Sequence, residues 1–164
     1  MKFFFLMLHT FLSVVAIAQT NKEVLVSKPV KNVVNQIVQY KTVQDERIGF
    51  AAAKSKVYQA FEKLSKIASN RELVQLTEHP SPNVRVYAFW ALATKHYKAI
   101  KEVLEKRIKD VALVEYQSGC ITSNIPVNQF YLDILTPQQV DVYCIKLSKE
   151  EVEQYKKKID AYKK

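Results

Sequence analysis

Hydrophobic positions in the middle of the chain recur at helical spacing and predict two consecutive helices. The first carries Leu73 and Leu76 and stops at residues 79–82, whose two prolines cannot lie inside a continuous helix. A second helix is predicted to begin with Ser81 as N-cap and Pro82 at the first helical position. Its apolar residues follow at Val84, Tyr87, Ala88, Phe89, Trp90, Ala91 and Leu92. Since they cover much of its circumference, we expect this helix to lie between neighbours.

The same residues resemble the HEAT repeat, in which a leucine-bearing helix, a short turn and a second helix with Val-Arg and Ala-Leu follow one another. The match falls on Leu73, Leu76, Pro80, Pro82, Val84, Arg85, Ala88, Ala91 and Leu92. The resemblance implies a mostly α fold of short antiparallel helical hairpins, a fragment of an α-solenoid. His79 stands where the family has its turn aspartate, and Arg85 is expected to brace the turn.

A second unit of this kind is indicated by one helical face made of Ile100, Val103, Leu104 and Ile108. Asp110 then stands where the resemblance places a turn acid. The segment from Val111 to Tyr116 lacks the Arg and Ala-Leu signature, and Gly119 interrupts it. The second helix of this unit is therefore predicted to be truncated or replaced by something extended.

Flanking segments complete the predicted fold. Apolar residues at steps of three and four from Ala53 to Ile67 predict a long helix beginning near Phe50, after a polar turn at residues 44–49. Residues 33–38 favour a helix, although their β-branched side chains leave a strand possible.

The C-terminal part is predicted to form an irregular or short-β cap followed by a closing helix. Phe130, Leu132 and Ile134 alternate with polar residues at the strand period. Ser148 and Glu151 have the spacing of a capping box and predict the start of the last helix.

The N-terminal residues have the features of a secretory signal peptide. Lys2 precedes an apolar run from Phe3 to Ala18 that ends in small residues. This run is short for a membrane-spanning helix. The sequence therefore predicts a signal peptide at residues 1–18, a partly helical flexible lead at 19–44, and one helical domain at 45–164. A secreted or periplasmic location follows.

Composition narrows the possible partners. The formal net charge is +9 with lysines concentrated at the C-terminus, so a basic binder of anionic lipid or polysaccharide is one possible function. Only two glycines occur, which excludes a glycine-rich phosphate loop, and no cofactor is predicted. Nucleic acid is not expected as a partner of a secreted protein.

Two cysteines, Cys120 and Cys144, offer the main candidate chemistry. In an oxidising compartment such a pair is predicted to form a disulfide. The alternatives are a reactive thiol at Cys120 in an envelope hydrolase or thiol-dependent enzyme, and a zinc site shared with His79 and His96, whose spacing matches no metal signature. Neither alternative has a base or a ligand nearby in sequence.

Acidic residues offer a further, weaker hypothesis, in which Asp110, Glu115 and Asp133 pair for hydrolytic acid-base work. Nothing in the sequence brings them together. The main functional prediction is therefore a non-enzymatic protein-interaction or scaffold module that binds a protein partner. Its candidate rim residues are Arg85, Tyr87, Lys95, His96 and Tyr97.

Overall fold

A computed structural model of the chain describes residues 26–141 and 143–162. The described part contains seven helices and four strands. In chain order these are α1 (Lys28–Val38), β1 (Thr42–Ile48), β2 (Ala53–Lys54), α2 (Lys56–Ile67), α3 (Asn70–Leu76), α4 (Pro82–Thr94), α5 (Ile100–Lys106), β3 (Leu113–Gly119), β4 (Ile121–Pro126), α6 (Val127–Leu135) and α7 (Lys149–Asp160). The predicted signal peptide and the start of the predicted lead lie outside the described residues.

The mostly α, solenoid-like fold predicted from the sequence is wrong, because four strands form one mixed sheet and the architecture is α/β. The strand order is β2-β1-β3-β4, with β1 and β3 parallel and the other neighbours antiparallel. Helices α2 to α5 lie between β1 and β3 in the chain. The hairpin with the HEAT-like residues therefore belongs to a crossover connection rather than to a repeat array.

The polar segment at residues 44–49, predicted as a turn, falls mostly within β1. Of the seven residues in this strand only Val43 is fully buried, so the strand has little apolar signal. Its formation depends on parallel pairing with β3, in which Thr42 lies beside Glu115 and Val43 beside Tyr116. The helix predicted from near Phe50 accordingly begins later, at Lys56.

Helix α4 occupies the centre of the core, as its nearly continuous apolar surface predicts. Trp90 is 1% exposed and Leu92 is fully buried. The Phe61 ring of α2 stacks on Tyr87 at a centroid distance of 5.2 Å and lies 5.1 Å from Trp90. On the opposite side the Phe89 ring stacks on Tyr131 of α6. The prediction that α4 lies between neighbours is confirmed.

For the segment after α5, the predicted extended structure is correct at residues 113–126 and wrong at residues 127–135. Residues predicted to be extended form the β3–β4 hairpin. Phe130, Leu132 and Ile134, predicted as a strand, instead lie on α6, a helix buried on most sides. Its polar side is narrow, formed by Gln129 and Asp133, which are four residues apart. The closing helix is confirmed as α7, whose capping box joins Ser148 and Glu151.

Across the described ranges, no helix has the length and apolar character that spanning a bilayer requires.

Candidate functional site

A cleft of about 540 Å³ opens at the end of the sheet where the turns after β1 and β3 meet the segment before α7. Five separate parts of the chain form its walls. The lining residues are Asp45, Glu46, Arg47, Tyr58, Trp90, Ser118, Gly119, Val140, Asp141 and Tyr143. The two turns are joined by a hydrogen bond of 2.8 Å from the Gly49 N–H to the Gly119 carbonyl.

Asp45 forms the sheet side of the cleft, and both its carboxylate oxygens accept hydrogen bonds. The Tyr116 hydroxyl donates to Oδ1 and the Ser118 hydroxyl donates to Oδ2, each at 2.5 Å. Because Tyr116 and Ser118 are two residues apart on β3, their side chains share one face of the sheet. The carboxylate is therefore fixed in position by two neutral donors.

Asp141 forms the opposite wall and is held in the same manner. The indole N–H of Trp90 donates to Oδ2 at 3.1 Å, and the backbone N–H of Tyr143 donates to Oδ1 at 2.8 Å. The segment carrying Asp141 is anchored to α4 a second time, since the Tyr143 carbonyl lies 3.1 Å from Nε2 of His96. Core helix and cleft wall are thus directly connected.

The carboxylates of the cleft give it a negative field. Burial, followed by the charges of Asp141, Glu62, Glu46 and Asp45, raises the pKa of Tyr58 to about 12. No ion pair to Asp45, Glu46 or Asp141 occurs within the described part of the chain. The one lining cation, Arg47, donates instead to the Ala52 carbonyl at 3.3 Å.

Two large apolar side chains in this region face solvent. Tyr143 lines the cleft, and Phe50 follows Gly49, which is hydrogen-bonded to the lining residue Gly119. Among the described residues Phe50 and Tyr143 are the most exposed of the large hydrophobic side chains, at 102% and 80%. Phe50 lies in the turn between β1 and β2, which is held by Gly49 at φ 70° and Ala52 at φ 49°. A non-glycine residue with such a φ is uncommon, so this turn is a constrained one.

Of the predicted rim residues, Arg85 and Tyr87 have structural contacts. Arg85 donates to the carbonyls of His79 and Pro80 and pairs with Asp110, so its expected role in bracing the turn is confirmed. Tyr87 is fully buried, and its hydroxyl is satisfied there because it accepts from the Gln44 N–H and donates to the Gln44 carbonyl.

The other three predicted rim residues lie at the end of α4. Lys95 donates to the Ser65 carbonyl at 2.8 Å, and Tyr97 is partly buried against the core. His96 has a φ of 52° and is exposed beside Tyr143. His96 therefore contacts the cleft residue Tyr143, and of the five rim residues Tyr87 also contacts one, since its ring stacks on Trp90.

The predicted Cys120–Cys144 disulfide is not formed in the structure, where both residues are free thiols. Cys120 is exposed in the two-residue turn between β3 and β4. Cys144 is buried with its sulfur 3.5 Å from the Thr94 hydroxyl, and burial, with the nearby charge of Asp141, raises its pKa to about 12.

The remaining candidate groups are dispersed. His79 accepts a hydrogen bond from the Ser81 N–H at Nδ1, which places it in the turn where the resemblance expects an acid. Asp110 pairs with Arg85, Asp133 accepts from Gln129, and Glu115 is exposed on β3. Over the described ranges, no three His, Cys, Asp or Glu side chains converge as a metal site would require.

Comparison of the chain with protein families, with curated proteins and with solved structures finds no match. The resemblance to HEAT repeats therefore rests on the residues of α3 and α4 alone.

The cleft residues were not among those predicted from the sequence. They come from β1, α2, α4, the end of β3 and the segment before α7, and no local motif joins them. The only local signal in the sequence was the pair of adjacent acids, Asp45 and Glu46.

Proposed function

We propose that this protein is a non-enzymatic binding module that docks a basic segment of a protein partner in the cleft between Asp45 and Asp141. The observation that carries the proposal is a set of cleft carboxylates that form no ion pair within the described residues, beside the exposed side chain of Tyr143, which lines the cleft. Phe50 is a second exposed aromatic residue, in the turn after β1. An arginine or lysine side chain of the partner would supply the missing positive charge.

Charge favours a cationic occupant. Asp45 and Asp141 are held by hydroxyl, indole and backbone donors, and within the described residues neither forms an ion pair with lysine or arginine. Lys146 acts on Asp141 through its charge alone, because its Nζ donates to the Ile134 carbonyl. In a partly enclosed cleft such charges act through a lower effective dielectric than in water. The half-buried ring of Tyr58 adds an aromatic surface of the kind on which ammonium and guanidinium groups are stabilised.

The exposed aromatic residues favour a protein partner. Exposed aromatic side chains around a polar centre are typical of interfaces in which a few anchors supply most of the binding energy. Phe50 and Tyr143 lie on turns held by hydrogen bonds and by constrained backbone, so little conformational freedom would be lost on binding. In the proposed binding mode, hydrophobic contacts with Tyr143 and Phe50 accompany the bound basic residue.

Fluorescence provides the test, because Trp90 is the single tryptophan of the chain and its indole donates to Asp141. The probes are capped tripeptides Ala-Arg-Ala, Phe-Arg-Phe and Ala-Glu-Ala, titrated at low ionic strength. We expect a saturable fluorescence change with the two arginine peptides, tighter binding for Phe-Arg-Phe, and weaker binding as salt rises. Equal responses to the arginine and glutamate peptides, or no saturable change, would contradict the proposal.

Matched variants locate the binding site. Asp141→Asn keeps an oxygen acceptor for the indole but removes the charge, and Glu46→Gln removes a second cleft charge. Each is expected to weaken binding of the arginine peptides by up to about fivefold. Glu115→Gln removes an acid on β3 that does not line the cleft and should leave binding unchanged.

A further inference from the structure

Strand β4 is the open edge of the sheet. The opposite edge is closed, since β2 pairs with the end of β1, the Ser55 N–H donates to the Glu46 carbonyl, and the Tyr87 hydroxyl contacts both backbone groups of Gln44. No strand is paired with the outer side of β4 among the described residues. Alternate residues of this strand therefore direct their N–H and C=O groups away from β3.

The open edge lacks the usual protection against pairing with another strand. Edge strands of soluble proteins commonly carry a charge, a bulge or a proline. The pairing of β3 with β4 is regular from Ser118 opposite Ile121 to Leu113 opposite Pro126, and β4 has no charged residue. Its one proline stands at the far end. The exposed residues run from Ile121 to Asn124.

The residue order of β4 makes the strand complementary to a second, antiparallel copy of itself. Residues 121–125 read Ile-Thr-Ser-Asn-Ile, which is symmetric in chemical type about Ser123. Two antiparallel copies centred on Ser123 place Ile121 opposite Ile125 of the other copy and Thr122 opposite Asn124. Because side chains alternate along a strand, both isoleucine pairs lie on the same face of the sheet.

We propose that two copies of this chain associate through β4, antiparallel about a twofold axis at Ser123, into one continuous eight-stranded sheet. The arrangement satisfies the outward backbone groups of both strands. It also covers Ile121, which is 74% exposed in the single chain, with Ile125 of the partner copy. An isologous contact of this kind closes on itself and does not propagate into fibres.

The salt dependence of dimerisation is expected to differ from the salt dependence of peptide binding in the cleft. Each chain has a net charge of +9, so the two copies repel one another, while the uncharged β4 strands add no ion pairs at the contact. Salt screens this repulsion, and the dimer is expected to become tighter as salt rises. Binding of a basic peptide in the cleft is expected to change in the opposite direction, so the two proposals fail independently.

The test is sedimentation equilibrium of the full chain over a range of concentrations, with reductant present so that the exposed Cys120 cannot link copies. Wild type is expected to show a monomer–dimer equilibrium. Ser123→Lys and Ser123→Glu each place like charges opposite one another and should weaken the dimer by up to about fivefold. An equimolar mixture of the two variants should associate at least as tightly as wild type.

Asn35→Lys, which adds the same charge on the exposed side of α1, is the matched control and should dimerise like wild type. Recovery in the mixture shows that the single variants fold and that the two Ser123 positions face each other. A wild type that remains monomeric at every concentration would overturn the proposal. So would Ser123→Lys and Ser123→Glu chains that each dimerise as wild type does and gain nothing on mixing.

Discussion

Arg85 and Asp110 form a two-point ion pair between the first turn of α4 and the end of the α5 segment. Nε lies 2.7 Å from Oδ2, and Nη2 lies 3.1 Å from Oδ1. The two side chains are only 12% and 17% exposed. Since Arg85 also donates to the carbonyls of His79 and Pro80, one guanidinium holds the turn and connects it to the chain entering β3.

We expect Asp110→Asn to lower the free energy of unfolding by about 1–3 kcal/mol, because a largely buried guanidinium loses its charged partner. Urea denaturation followed by circular dichroism measures the change. Glu153→Gln, which breaks the exposed Glu153–Lys156 pair, is the control and should cost less than about 0.5 kcal/mol. Equal losses in the two variants would show that the Arg85 contacts contribute no more than a surface pair.

Tyr87→Phe tests how the core helix supports the sheet. The tyrosine hydroxyl accepts from the Gln44 N–H at 2.8 Å and donates to its carbonyl at 3.1 Å. Removing it leaves both backbone groups of a half-buried strand residue without this partner, and we expect a loss of about 1–3 kcal/mol. The urea midpoint should fall with an unchanged m-value. Tyr143→Phe, on an 80% exposed side chain, should leave the midpoint in place.

The elements that the sequence predicted correctly are those specified by neighbouring residues. Pro82 at the start of α4 and the Ser148–Glu151 capping box at the start of α7 act within one helical turn. Each signal therefore lies in a few consecutive letters. The helix at residues 33–38 was predicted in the same manner and is part of α1.

The sheet was missed because its strands are specified by distant partners. β1 has a single fully buried side chain, and it is held by β3, about 70 residues later, and by Tyr87 of α4. The paired residues lie too far apart in the sequence for any local pattern to contain both. The same reasoning applies to the cleft, whose Asp45 and Asp141 meet only after the crossover helices bring the two ends of the chain together.

Glu72 is expected to make the free energy of unfolding depend on pH in the acid range. Burial alone would raise the pKa of this carboxyl, but hydrogen bonds from the Ser27 and Ser69 backbone N–H groups and their hydroxyls lower it to about 2. Because the folded pKa lies below the unfolded value of 4.5, the contribution is present above about pH 4.5 and is lost as the pH falls toward 2.

We therefore expect Glu72→Gln to be less stable than wild type at neutral pH, with the difference shrinking as the pH falls from about 4.5 toward 2. Urea midpoints at several pH values measure this difference and remove the effect of other acids. Ser69→Ala keeps the carboxylate but deletes one of its donors, so it should show a smaller pH dependence of the same sign. Parallel profiles for Glu72→Gln and wild type would assign the acid sensitivity to other residues.

The two thiols should differ in reactivity because Cys120 is exposed and Cys144 is buried. The pKa of Cys144 is about 12, raised first by burial, so at about pH 8 almost none of it is ionised, whereas Cys120 is exposed on a turn. We expect iodoacetamide to add one group to the native protein, by intact mass, and two after unfolding in urea. Cys120→Ser should abolish the native adduct, and Cys144→Ser should retain it. Two adducts at similar rates would show that Cys144 is accessible, and an absence of labelling until reductant is added would establish the disulfide that the sequence predicts.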